Sequence, residues 1–309
     1  YNDSLSNEGS PMPVLRNPHS RESTQDLTTL SYLNEPAVLH AIKLRYMNKE
    51  IYTYSGIVLV ATNPFAQMEE LYSNDMIKKY SRITSREELD PHLFAIAHDA
   101  YTTMDSQSRN QTIVVSGESG AGKTVSAKYI MRYFASLDDN NAAVVSEMSD
   151  IEKKILATNP IMEAFGNAKT IRNDNSSRFG KYLQIMFDAK KNIIGAQIRT
   201  YLLERSRLVF QQQSERNYHI FYQLLAGLPA AIKEELCISN PEQFYYLNQG
   251  SDPRIDGVDD AQEFQDTIAA LSVIGINDSL QMEVFKILAG LLHIGNIEIK
   301  QSSTSSSIS

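Results

Sequence analysis

Cysteine occurs once in the 309 residues, at Cys237, so no disulfide can close within the chain. That usage suits a reducing compartment, and the lone thiol reads as packing rather than as a nucleophile. Long apolar runs are also lacking. No stretch reaches the roughly eighteen residues that mark a membrane helix, and the most apolar late segment, Val284 to Ile294, is broken by Lys286 and His293. Membrane insertion is therefore not expected. Positive charge is in deficit, with 29 Lys and Arg against 37 Asp and Glu, and the cations are scattered rather than striped. This excludes the electrostatic footprint of a nucleic-acid binder. No basic-then-apolar leader follows Tyr1, so the sequence reads as a fragment without a signal peptide.

The net charge of −8 does not exclude an anionic ligand. Charges farther apart than about 8 Å are largely screened at physiological salt. One cation about 4 Å from a phosphate is worth on the order of 4 kcal/mol at an effective dielectric near 20. With 42% hydrophobic residues the chain can build a sizeable core. Residues 1–26 read as a peripheral arm rich in Ser, Asn and Pro. Asn34-Glu35-Pro36 is a helix start, and Ile51 to Ala61 reads as a strand pair around Ser55-Gly56. The spacing predicts helices at about 91–106, 148–165, 215–226 and 281–293, with Gly227 and Pro229 stopping the third. Leu183 to Phe187 and Ile193 to Thr200 alternate as strands around a Lys190-Lys191-Asn192 turn. Asp138 to Asp150 reads as a surface loop, and the serine-dominated 301–309 as a disordered tail or loop. Interleaved strands and helices give an α/β class.

The most informative segment is Gly117-Glu118-Ser119-Gly120-Ala121-Gly122-Lys123-Thr124, which fits G-x-x-x-x-G-K-[ST]. Thr112 to Ser116 before it reads as a β-branched strand, and a helix is predicted from Val125 to about Leu137. In that context the glycines allow a tight loop whose N–H groups close around phosphate oxygens at a positive helix end. Lys123 would reach the β- and γ-phosphates, and Thr124 would offer a hydroxyl to Mg²⁺. The pattern predicts binding of a nucleoside triphosphate. A second constellation, Asn173-Asp174-Asn175-Ser176-Ser177-Arg178, reads as a polar loop carrying two hydroxyls and an arginine, the chemistry of a γ-phosphate sensor. His92 and His98 are six apart without further ligands, which does not make a zinc site. Tyr218, Phe221 and Tyr222, at helical spacing, read as core.

Together with Asn159 to Thr170 (NPIMEAFGNAKT), Asn173 to Lys181 (NDNSSRFGK), Tyr201 to Arg207 (YLLERSR) and Glu215 to Leu225 (ERNYHIFYQLL), the phosphate loop closely resembles the myosin motor domain. The resemblance is collinear from about Leu30 to Lys300 and is strongest to the fungal class V, cargo-transporting myosins. Kinesins share a similar loop and sensor, but theirs continues serine-histidine where this chain has Phe179-Gly180-Lys181.

The resemblance implies an α/β P-loop NTPase of the myosin motor type, with a mixed central sheet flanked by helices, incomplete in this chain. It divides the sequence into the arm at 1–26, an N-terminal motor subdomain at 27–137, the loop at 138–150, the first switch with the upper central subdomain at 151–300, and the tail at 301–309. ATP and Mg²⁺ are the implied ligands. Asn63, Pro64 and Tyr72 would belong to the adenine pocket, and Gly117, Glu118, Ser119, Gly120, Ala121, Gly122, Lys123 and Thr124 to the phosphate loop. In the first switch Asn173 would contact phosphate, Ser176 the lytic water and Ser177 the magnesium, and Arg178 would bridge to a glutamate of a second switch. Lys123, Ser176 and Arg178 are the implied catalytic residues. No D-x-x-G-x-E second switch occurs in these residues, so Arg178 is expected to lack its partner and the chain alone to be hydrolytically incompetent. Asp188 superficially resembles a Walker aspartate, but the following turn makes a hairpin the better reading. For the complete protein the resemblance implies a cytoplasmic motor of the actin cytoskeleton and myosin complex, with actin filaments, calmodulin-like light chains and cargo adaptors as partners. A nonmotor nucleotide-binding module is the alternative.

Overall fold

The computed structural model describes residues 16–18, 22–82, 90–118, 120–137, 150–189, 193–250, 254–301 and 306–308. Most of the predicted arm, Ser119, the 138–149 part of the expected surface loop and the Lys190-Lys191-Asn192 turn lie outside them. The chain divides into two compact units, Tyr1–Val114 and Val115–Ser309.

In the first unit α1 (Glu35–Met47) begins where Asn34 Oδ1 accepts the Ala37 N–H at 3.0 Å and Pro36 fills an early helical position. β1 (Tyr52–Ser55) and β2 (Val58–Ala61) form the expected antiparallel hairpin. Buried Arg45 ties helix to hairpin by donating to Tyr52 O at 2.8 Å and Thr53 Oγ1 at 3.0 Å, which satisfies a guanidinium that burial would otherwise penalise. Leu27, Leu30 and Ala41 form the adjoining core. Two further helices, α2 (Asn74–Ser81) and α3 (Leu93–Gln107), start at the side-chain caps Ser73 and His92.

The second unit opens with α4 (Lys123–Ala135) and α5 (Asp150–Gly166). Two hairpins follow: β3 (Asn167–Thr170) with β4 (Asn173–Ser177), and β5 (Gly180–Phe187) with β6 (Ile193–Tyr201). The short α6 (Ser206–Val209) leads to α7 (His219–Gly227), α8 (Ala230–Glu235), α9 (Asp260–Val273) and α10 (Asp278–Gly295). The main core lies among α7, α9 and α10, where Phe221, Leu224, Phe264, Phe285 and Leu292 are buried together. Tyr218, Phe221 and Tyr222 are core residues, as their spacing implied. Met131, Ile155 and Ile193 form a second cluster joining α4, α5 and β6. The α/β class holds.

Four expectations change. Thr112 to Ser116 is irregular rather than a strand, and Val114 is 82% exposed. A strand exists only through its ladder, and no described strand pairs with this run. For the same reason the described strands form four two-stranded antiparallel sheets and assemble no mixed central sheet. Asn173 to Ser177 is a strand rather than a polar loop, because Thr170 Oγ1 donates to Asn173 O at 3.0 Å and accepts the Asn173 N–H at 3.2 Å, closing a tight hairpin that polar composition conceals. Near the end, β7 (Ile299–Gln301) pairs with β8 (Ser306–Ile308), so part of the serine-rich tail is ordered by a strand partner.

Candidate nucleotide and magnesium site

The phosphate loop turns into α4 through Gly120 (φ +82°) and Gly122 (φ +91°), conformations that side-chain-bearing residues rarely adopt. Gly122 is the helix N-cap and supplies no side-chain acceptor, so the first-turn N–H groups have no capping side chain and face outward as a group that favours anions. Lys123 Nζ arches back over the loop, donating to Gly117 O at 2.7 Å and Glu118 O at 2.8 Å, while the Ala121 N–H donates to Glu118 O at 3.2 Å.

The first-switch hairpin lies against this loop. Thr124 Oγ1 and Ser177 Oγ are 3.3 Å apart, Arg172 pairs with Glu118 at 3.5 Å, and the Asn173 side chain stands 3.6 Å from where a Cβ on Gly120 would project. A Cβ at Gly120 would make ordinary van der Waals contact with Asn173, so the constraint on a side chain there is the φ of +82°. Two motifs separated by about fifty residues thus share one surface. Ser177 meets the loop at Thr124, and Ser176, next to it along the strand, is buried.

There Ser176 Oγ accepts from Arg178 Nη1 at 3.2 Å. No second-switch glutamate occurs in these residues, and Arg178 pairs with a different one: its Nε donates to Glu204 Oε2 at 2.6 Å. The same carboxylate oxygen accepts Arg207 Nε at 2.8 Å, and Arg207 reaches Glu215 at 2.9 Å. Burial pushes the Glu204 carboxyl up, but hydrogen bonds from Arg178 and Arg207 outweigh it and hold the group below the usual carboxylate range. Glu204 and Arg207 were missed as site residues; their E-x-x-R spacing after β6 was the available signal.

A further cross-link fixes the hairpin from behind. Asn175 Oδ1 accepts from Asn167 Nδ2 at 2.8 Å and meets His219 Nε2 at 3.2 Å, and Asn175 Nδ2 donates to Glu163 at 3.3 Å. Glu163 in turn pairs with Lys128 of α4 at 2.6 Å. In the first unit Tyr72 is buried, its hydroxyl 2.6 Å from that of Tyr52, Asn63 Oδ1 accepts the Phe65 N–H at 2.9 Å, and Pro64 O accepts the Tyr46 hydroxyl at 3.4 Å. His92 caps α3 through Nδ1, which accepts the Phe94 N–H at 2.9 Å.

The donor set fits a hydrated hard cation. Adjacent corners of an octahedron with roughly 2.1 Å bonds are about 3 Å apart, close to the Thr124–Ser177 separation, and Mg²⁺ prefers such oxygen ligands. A model of the Myosin head (motor domain) family matches residues 24–309. The chain belongs to the myosin head family. Myosin-2B of Naumovozyma castellii is 63% identical over 100% of this chain and 22% of its own length. Myosin-2 of Saccharomyces cerevisiae is 65% identical over 96% of the chain and 19% of its own. Unconventional myosin-Va of Gallus gallus is 55% identical over 93% of the chain and 15% of its own. This myosin head chain therefore spans about a fifth of the length of the curated relatives it matches. Nucleotide and Mg²⁺ binding are general properties of the family. The resemblance to fungal class V myosins read from the sequence agrees with these relatives.

Proposed function

We propose that the chain is the nucleotide-binding part of a class V-type, actin-based motor ATPase that moves intracellular cargo along actin filaments. The observation that carries the reading is the approach of Thr124 and Ser177 to 3.3 Å, which joins the phosphate loop to the first switch. Gly117, Glu118, Ser119, Gly120, Ala121 and Gly122 would cradle the phosphates, with Lys123 supplying the cation and Asn173 a further polar contact. Thr124 and Ser177 would hold Mg²⁺. When bound, the ion would neutralise charge developing on the phosphates. Family resemblance assigns Asn63, Pro64 and Tyr72 to the adenine.

In hydrolysis a water oxygen bonds to the γ-phosphorus while the bond to the bridging oxygen breaks, its electron pair leaving on ADP and the water proton ending on the released phosphate. Ser176 is the candidate for orienting that water, and Arg178 holds Ser176. Loss of the γ-phosphate frees the switch to move, which is how such a site couples chemistry to a partner's affinity. The complete protein would work in the cytoplasm on the actin cytoskeleton within a myosin complex, with calmodulin-like light chains and cargo adaptors bound through other regions.

Co-sedimentation of the full-length protein with actin filaments tests the motor reading. Pelleting without ATP and release on adding it is the expected result. A protein that never pellets is instead a nonmotor nucleotide-binding module.

A further inference from the structure

Glu204 grips the end of the first switch at two places. Its carboxylate accepts Arg178 Nε at 2.6 Å, and its backbone N–H donates to Arg178 O at 3.0 Å. Glu204 is itself fixed. Arg207, 4% exposed, donates to the same carboxylate oxygen, and the Tyr218 hydroxyl donates to Glu204 O at 2.6 Å. Arg178 then reaches Ser176 Oγ through Nη1. A guanidinium is a rigid plane, so anchoring Nε sets the direction in which Nη1 points. The N–H from Arg178 occupies a lone pair of Ser176 and restricts where its hydroxyl proton can turn.

We propose that Glu204 is a positioning residue for ATP hydrolysis, acting through Arg178 to fix the hydroxyl of Ser176. This rests on the ATPase reading above. Among the described residues Glu204 is hydrogen-bonded to Arg178, Arg207 and Tyr218 rather than to the phosphate loop or the Thr124–Ser177 pair, so its effect belongs to the chemical step rather than to nucleotide capture. Charge matters as well as shape: the ionised carboxylate accepts Arg178 and Arg207 on one oxygen in charge-assisted bonds, whereas the amide oxygen of a glutamine in that place is an uncharged, weaker acceptor for both.

The test uses the full-length protein and measures fluorescent-nucleotide affinity and single-turnover ATP hydrolysis in parallel. Glu204→Gln should slow hydrolysis at least tenfold while affinity stays within threefold. Combined with Arg178→Gln, it should add no further loss beyond Arg178→Gln alone, because both substitutions break one relay. Glu204→Asp keeps the charge but retracts it by one methylene; it should slow hydrolysis by an intermediate amount and serves if the glutamine variant fails to fold. Hydrolysis within twofold of wild type in either folded variant, equal losses of affinity and rate, or additive losses in the double variant would overturn the proposal. A wild-type protein that neither binds nor hydrolyses ATP would instead sink the underlying ATPase reading, and the positioning role with it.

Discussion

At the scale of single residues, Lys123 was legible because phosphate loops demand a cation at a fixed distance along the chain from their glycines. Its Nζ is held by two loop carbonyls, a geometry that an incoming phosphate would share. Lys123→Ala should lower nucleotide affinity by up to about a thousandfold, the equivalent of about 4 kcal/mol for one close cation. A fluorescent-nucleotide titration checks this; unchanged affinity would remove Lys123 from the site. Glu204 was harder to find. Its local mark is the E-x-x-R spacing to Arg207, three residues on, whereas its other partner, Arg178, lies 26 residues before it.

At the scale of elements, starts and stops were the most readable features. Asn34 and Pro36 opened α1, and Gly227 closed α7, because caps and breakers act through their immediate neighbours. Gly227 does more than stop a helix. A Cβ built on it would lie 2.4 Å from Cδ1 and 2.6 Å from Cβ of Phe264, so α7 approaches α9 too closely to admit a methyl group. Gly227→Ala should destabilise the second unit by about 1–3 kcal/mol through overpacking, despite alanine's better helix propensity. A lowered urea midpoint with unchanged slope is the expected result; an unchanged or raised midpoint would show that Phe264 yields freely. Thr112 to Ser116 shows the opposite limit: its β-branched residues favour extended backbone, but only a pairing partner makes a strand.

At the scale of the whole molecule, one buried histidine in each unit couples stability to acid. His92 accepts the Phe94 N–H at Nδ1 and lies 3.0 Å from Leu71 O through Nε2, so a second proton would oppose an existing donor; burial pushes its pKa down to about 4. His219 is pushed down to about 3 by burial, with Arg216 adding to the shift. Below about pH 6.5 the unfolded chain therefore takes up protons that the folded rings refuse. Stability present above that pH is lost on acidification, by at most about 1.4 kcal/mol per pH unit for each histidine until its folded pKa is reached. Urea midpoints followed by circular dichroism should fall between pH 7 and pH 5, and fall less in a His92→Gln/His219→Gln variant; identical falls would place the acid sensitivity elsewhere. The sequence by itself determined the family, the phosphate-loop pattern, the helices α1, α3, α4, α5, α7 and α10 to within a few residues, and the hairpin at 183–200, all carried by local spacing and backbone preference, while α2, α8 and α9 went unread. Only the tertiary structure decided that Ser177 meets Thr124, that Ser176 is buried against Arg178, and that Arg178 is held by Glu204. Those relations join residues distant along the chain, and strand alternation together with packing, rather than composition, sets which side chains meet.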